Sequence, residues 1–355
     1  MTCINGRVNG YTMNHRSVHI AGGGLAGLTA AVRLSRLGIP VTVHEAGRYP
    51  RHRVCGEFLS GFDSEVAAQI GIAEWLQSRA TSNTSIVWIS EGREILRRNL
   101  EIPVFGISRY ELDAKLVEQV RCHGGQVLEN ERCGPECDID GWLLATGAPK
   151  PFPARWIGLK AHYLSSPMRA DLEMHLAAGA YVGVSRIEDG KVNVCGLFRS
   201  DLIGRGCSDL SSAAAACRLE GLVETLATGD EVPGSKCACA LPDYGWRGGS
   251  PTHRAAAIGD RSARIPPFTG HGMALAMSAG FQAANRVAEW AIGCSTWDRT
   301  RARISWENWR SQARPIATAS LLHPMLASRS GRKFLEWLCG LNMIPFKTLR
   351  HLTHA

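Results

Sequence analysis

The chain has 355 residues, a composition that is 45% hydrophobic and 20% charged, and a formal net charge of +8. That length holds two closely packed domains or one large one, and the composition is that of an ordinary folded protein rather than a fibrous or disordered one. The basic residues are scattered among acids, without zinc-finger spacing or interleaved aromatics, which argues against nucleic-acid recognition.

Residues 1–16 read as a flexible extension, with Met1 or Met13 as the start. They are polar and lack the apolar centre of a secretory signal. The first informative stretch is His19-Ile20-Ala21-Gly22-Gly23-Gly24-Leu25-Ala26-Gly27-Leu28. Gly22, Gly24 and Gly27 fit G-x-G-x-x-G between an apolar strand and a helix over 25–37 that Gly38 closes. A second strand, 40–44, ends at Glu45. Glycines at this spacing allow a tight turn, approach of a pyrophosphate and close helix–strand packing, and an acidic residue at this distance can hold a ribose. The helix start adds free N–H groups and partial positive charge. This is a dinucleotide-binding βαβ unit.

Arg48, Arg51 and Arg53 follow on a loop beyond the strand's C-terminal end, where ligands bind in such sheets. The pattern then predicts a helix over 63–79, a hairpin turning at Glu91-Gly92 and a separate strand over 102–107. Ser108 with Glu111 forms a capping box for a helix running to Cys122. Strands are expected at 125–129 and 142–147. From 149 to 241, four strands with turns between them, one long helix over 208–229 and a last strand describe an antiparallel sheet. Lys160 and His162 alternate on one strand and share a face. A short strand then runs into Gly259-Asp260, followed by a Pro/Gly loop, 265–272, and an alanine-rich helix over 273–292. Residues 300–355 read as helical, basic and apolar.

Twelve cysteines are scattered. The pairs Cys133/Cys137 and Cys237/Cys239 lack C-x-x-C spacing, so no metal centre is expected, and reduced thiols in a cytoplasmic setting are. No apolar run spans a bilayer. The tail 334–347, apolar with basic flanks, suggests peripheral membrane contact or the mouth of a lipophilic pocket; packing of a C-terminal helix is the plainer reading.

Together these motifs resemble the flavoprotein superfamily of para-hydroxybenzoate-hydroxylase-type monooxygenases and geranylgeranyl reductases. Gly22, Gly24, Gly27 and Glu45 match its first motif. Arg109-Tyr110-Glu111-Leu112 matches the middle helix, 142–147 the strand ending in Ala-Thr-Gly, and Gly259-Asp260 with 267–273 the last motif. Cys55-Gly56-Glu57 is like a segment of the reductase branch, whereas that branch's Phe-Pro segment is not reproduced near 181–186. The paired tryptophans of flavin-dependent halogenases are missing, and only a short loop stands where the family often carries a β-meander between 128 and 142.

The resemblance implies an α/β fold: a Rossmann-like FAD-binding domain of glutathione-reductase type (17–80, 100–150, 245–298), an inserted antiparallel substrate domain (81–99, 151–244) and C-terminal helices (299–355). It implies FAD held by Gly22, Gly24, Leu25, Ala26, Gly27, Glu45, Ala46, Arg53, Arg109, Gly259, Asp260, Pro267, Gly270, Gly272 and Met273, with NAD(P)H as a visiting donor. His271, Cys55 and Lys160 stand as candidate catalytic groups. The expected function is hydroxylation of an apolar or aromatic small molecule. Reduction of carbon–carbon double bonds in a polyprenyl or other lipid is the alternative, and a non-catalytic flavin-binding protein the remote one.

Overall fold

The computed structural model describes residues 15–149, 154–204, 206–241, 244–247 and 253–341. In chain order the elements are β1 (Val18–Ala21), α1 (Leu25–Arg36), β2 (Val41–Glu45), β3 (Phe58–Leu59), α2 (Ser64–Gln69), α3 (Ala73–Arg79), β4 (Thr81–Ser90), β5 (Arg93–Gly106), α4 (Arg109–Cys122), β6 (Gln126–Glu129) and β7 (Trp142–Leu144). The antiparallel half follows with β8 (Trp156–Tyr163), β9 (Leu172–Ala177), β10 (Ala180–Arg186), β11 (Val192–Arg199), α5 (Ser200–Ile203), α6 (Leu210–Ala216), α7 (Glu220–Ala227) and β12 (Cys237–Leu241). The chain then forms β13 (Gly245–Trp246), β14 (Ala256–Ala257), β15 (Ala263–Arg264), α8 (Gly272–Ala291), α9 (Trp297–Ala327) and α10 (Arg329–Gly340).

Two sheets organise these elements. The first is parallel throughout, in the order β14-β7-β1-β2-β6. Val18, Ile20, Val41, Val43 and Leu143 bury one side of it beneath α1, α4 and α8. The loop from β6 to β7 holds only one 3-10 turn, Pro135–Cys137. On the side away from these helices, His19, His44 and Trp142 stack on one another with ring centroids 4.8–5.4 Å apart.

The second sheet has eight strands in the order β12-β8-β11-β10-β9-β4-β5-β3, antiparallel except where β4 pairs with β9. Side-chain alternation divides its faces. Leu159, Ala161, Val182 and Val194 pack under α6 and α7. Trp156, Tyr181 and Leu197 face the other way, toward Leu326 of α9 and Leu335 of α10.

The α/β architecture with its two kinds of sheet matches the expected fold class, and three element boundaries differ. The helix expected over 63–79 breaks at Gly71, whose φ of +72° ends α2. The helix expected over 208–229 breaks after Cys217, where Arg218 takes a left-handed φ of 58°. The strand expected at 102–107 is no separate element: β5 runs unbroken from Arg93 to Gly106, so residues 100–106 continue the eight-stranded sheet. The hairpin at Glu91-Gly92 is present, with both residues at positive φ, as a primed turn needs.

A candidate cofactor cleft

The C-terminal ends of β1, β2 and β7 open on a cleft of about 610 Å³. Its walls come from the 22–26 loop, the 44–46 and 51–58 segments, Arg109, residues 131–133 and 145–147, and the 259–273 region.

The glycine loop is built around two opposite demands. At Gly22, φ is +101° and a Cβ would lie 2.5 Å from the Ala145 carbonyl oxygen; at Gly27 it would lie 2.1 Å from the Gly22 carbonyl oxygen. Those positions are closed by protein. At Gly24 a Cβ would meet nothing within 4 Å, because the position faces the cleft. Gly24 is also the N-cap of α1, and neither a side-chain cap nor an acidic residue in the first turn satisfies the helix start. The first N–H groups of α1 therefore present donors and partial positive charge to the cleft. The start of α8 repeats this arrangement: its N-cap, His271, makes no side-chain cap and its first turn holds no acid. Gly272 and Met273 line the same cleft. Two uncapped helix starts on one cavity suit an anionic or electron-rich ligand.

Glu45 accepts from Gly23 N–H at 2.9 Å and Gly47 N–H at 2.8 Å, and pairs with Arg51 at 2.6 Å and Arg53 at 3.5 Å. Burial alone would raise its pKa; the two guanidiniums and two N–H groups outweigh that and hold it below the usual carboxylate range. The Tyr49 hydroxyl donates to the Gly23 carbonyl, locking the same loop. Arg53 also reaches Asp113 at 3.1 Å, and Arg109 clamps Asp113 with bonds of 2.7 and 2.8 Å. Asp113 is fully buried. Asp260 differs from these carboxylates: its side chain is 50% exposed, facing the cleft, with Arg264 at 3.4 Å.

At the Cys55–Phe58 side the floor is a buried polar cluster. Glu57 lies in a left-handed conformation with φ of 55° and is completely buried. Its carboxylate receives Lys160 at 3.1 Å, His162 at 2.5 Å and the Arg109 N–H at 3.0 Å. Burial pushes its pKa up, but the His162 hydrogen bond and the Lys160 charge outweigh this and hold it low. Lys160 also donates to His52 Nδ1 at 3.2 Å. Burial first, and then the nearby Lys160 and His162, push His52 down to about 4. Asn193 bonds the carbonyls of Cys55 and Gly56 at 3.1 and 2.9 Å, fastening this loop to β11.

Of the residues expected to hold a cofactor, Gly22, Gly24, Leu25, Ala26, Glu45, Ala46, Arg53, Arg109, Gly259, Asp260, Pro267, Gly270, Gly272 and Met273 line the cleft. Gly27 lies behind it as a packing contact. The candidate catalytic groups fare differently. His271 does not line the cleft: its ring is buried and its Nδ1–H donates to the Ser60 carbonyl at 2.9 Å, tying the start of α8 to the segment after β3. Lys160 shares a face with His162 as alternation requires, but it is sealed under the cleft by its ion pair with Glu57. Cys55 does line the cleft; burial raises its pKa, so it is a neutral thiol rather than a nucleophile. Sequence reasoning missed Asp113 and gave Glu57 no role. Asp113 stands four residues after Arg109 on a helix, a legible ion-pair spacing; Glu57 finds its partners 103 and 105 residues away, and no local pattern announces that.

No family model and no curated protein matches this sequence. Solved structures do match in shape. PqsL of Pseudomonas aeruginosa, in complex with 2-aminobenzoylacetate, is 16% identical, superposes with a TM-score of 0.69 and covers 90% of this chain and 98% of its own. The flavin-dependent brominase Bmp2 is 16% identical with a TM-score of 0.70, covering 96% of this chain and 93% of its own. A mutant of 2-methyl-3-hydroxypyridine-5-carboxylic acid oxygenase is 15% identical with a TM-score of 0.64, covering 89% and 94%. At these identities the shared property is the fold.

Proposed function

We propose that this chain is an FAD-dependent monooxygenase acting on an aromatic or apolar small molecule. The observation that carries the reading is a cleft onto which two uncapped helix starts both open, with Asp260 exposed between them in the chain order and Arg53 and Arg109 in its wall. The open space in front of Gly24 fits a pyrophosphate at the start of α1. Asp260 has free acceptor surface for sugar hydroxyls. The sequence motifs and the fold shared with PqsL, Bmp2 and the pyridine-carboxylate oxygenase support the same assignment.

When bound there, FAD would supply two-electron redox chemistry and the activation of oxygen. The protein's part follows from its own groups. The first turn of α8 stabilises negative charge through its N–H donors and dipole. Arg53 and Arg109 present guanidinium edges in the cleft wall, held by Asp113, while Lys160 lies beneath it, held by Glu57. Cys55 stays protonated and offers no competing nucleophile. NAD(P)H would visit as donor rather than occupy a domain of its own. The sequence lacks the tryptophan pair of halogenases, which favours oxygen transfer over halogenation.

The test is oxygen uptake by FAD-loaded protein offered a panel of phenols and other monocyclic aromatics with NADH or NADPH. The proposal expects substrate-dependent donor oxidation, products carrying one added oxygen, and no turnover without oxygen. Turnover that persists or improves anaerobically, with loss of a double bond, would instead support the lipid reductase.

A further inference from the structure

We propose that the outer face of α10 docks on an anionic membrane surface. Residues 299–355 contain ten Lys and Arg against two Asp and Glu, a local charge of +8, so the chain's whole net charge resides there and residues 1–298 are balanced. Neighbouring acids take up part of it, Arg301 pairing with Asp298 at 3.8 Å, Arg303 with Glu289 at 3.0 Å and buried Arg332 with Glu91 at 3.7 Å, while the segment's own acids are turned to other partners, Glu307 to Arg286 at 2.7 Å and Glu336 to Ser90 at 2.5 Å.

On α10, Phe334, Trp337 and Leu341 recur at spacings of three and four, and so share one face. They are 48%, 56% and 51% exposed. The Phe334 and Trp337 rings stack with centroids 5.8 Å apart. The opposite face is anchored by buried Arg332, which donates to Ser90 at 3.3 Å and to the Leu176 carbonyl at 3.4 Å, and by buried Leu335. The helix is therefore held against the eight-stranded sheet with its aromatic stripe outward. Exposed Arg329 and Lys333 flank that stripe.

A stripe of Trp, Phe and Leu with cations beside it is the pattern of a helix lying in a bilayer interface. The rings sit at headgroup depth and the cations meet anionic lipid. Among the described residues no helix is long and apolar enough to cross a membrane, so the contact is peripheral. A nucleic acid would use the charge but not the outward aromatic stripe. A second copy of the chain would bring +8 against +8.

The experiment is co-sedimentation of the full chain with vesicles of phosphatidylcholine alone or mixed with phosphatidylglycerol. The proposal expects binding to the mixed vesicles about tenfold tighter than to neutral ones, weakening as salt rises. The double variant Phe334→Ser/Trp337→Ser should lose that binding, Lys333→Glu should weaken it, and Trp306→Ser on α9 should not change it. Circular dichroism of each variant establishes that its fold is intact. Equal partition to both vesicle types, or unchanged binding by the double variant, overturns the proposal. So does a wild-type dimer in solution that the double variant turns into a monomer, because the stripe would then be covered by a second copy.

Discussion

Asp113 carries more of the site than its place in the sequence suggests. It is fully buried, and two guanidiniums depend on it: Arg109 through two bonds and Arg53 through a third. Removing one partner of a buried ion pair costs about 3–5 kcal/mol because the other charge is left uncompensated. Asp113→Ala should therefore lower stability by that order in a denaturant titration and release Arg53 from the cleft wall. A loss below about 1 kcal/mol would mean that the arginines find other acids. The glycines separate by the same reasoning. Gly27→Val places carbon against a backbone carbonyl and should prevent folding, whereas Gly24→Val should leave the fold intact and fill only the cleft. At this scale the sequence was legible wherever a residue's neighbours lie within one turn or one motif. The glycine loop, Glu45 and Asp260 could be placed from spacing. The sealing of Lys160 by Glu57 could not, because it depends on how a loop after β2 meets the distant strand β8.

Helix starts and helix interiors set the next level. The uncapped starts of α1 and α8 were readable as glycine-rich turns before alanine-rich helices, and both face the cleft. The breaks at Gly71 and Arg218 were not, because the apolar period continues through each break while the backbone does not. On α9, His323 lies buried among Trp156, Tyr181, Tyr244 and Phe268, with ring centroids 4.9–6.4 Å away. Burial, aided by the charge of Arg155, pushes its pKa from 6.5 down to about 4. The unfolded chain then takes up a proton before the fold does. Its contribution is intact above about pH 6.5 and is lost as the pH falls toward 4, on the order of 3 kcal/mol in all. His52 acts in the same direction, with a smaller share because it is more exposed. His323→Phe keeps a ring in the aromatic cage and should flatten the fall in melting temperature between pH 7 and 4.5. An unaltered profile would show that His323 is not among the groups responsible.

At the scale of the molecule, one parallel and one largely antiparallel sheet meet along the cleft, and the loop from Cys55 to Phe58 joins them. It lines the cleft on one side and is bonded to β8 and β11 on the other. The sequence showed two kinds of sheet through the change from glycine-punctuated α/β units to closely spaced strands. It also showed the short connection between β6 and β7. What it concealed was β4 pairing in parallel with β9, which joins strands more than eighty residues apart, and the unbroken length of β5. Such pairings depend on register between distant segments. Whether this cleft holds FAD is tested most directly by the visible absorption spectrum of purified wild-type protein beside that of Gly24→Val, each after incubation with FAD and gel filtration. A cleft that binds FAD gives a stoichiometric flavin band in the wild type and a band reduced at least about tenfold in the folded variant. A colourless wild type, or a folded Gly24→Val that keeps its full flavin, would contradict it.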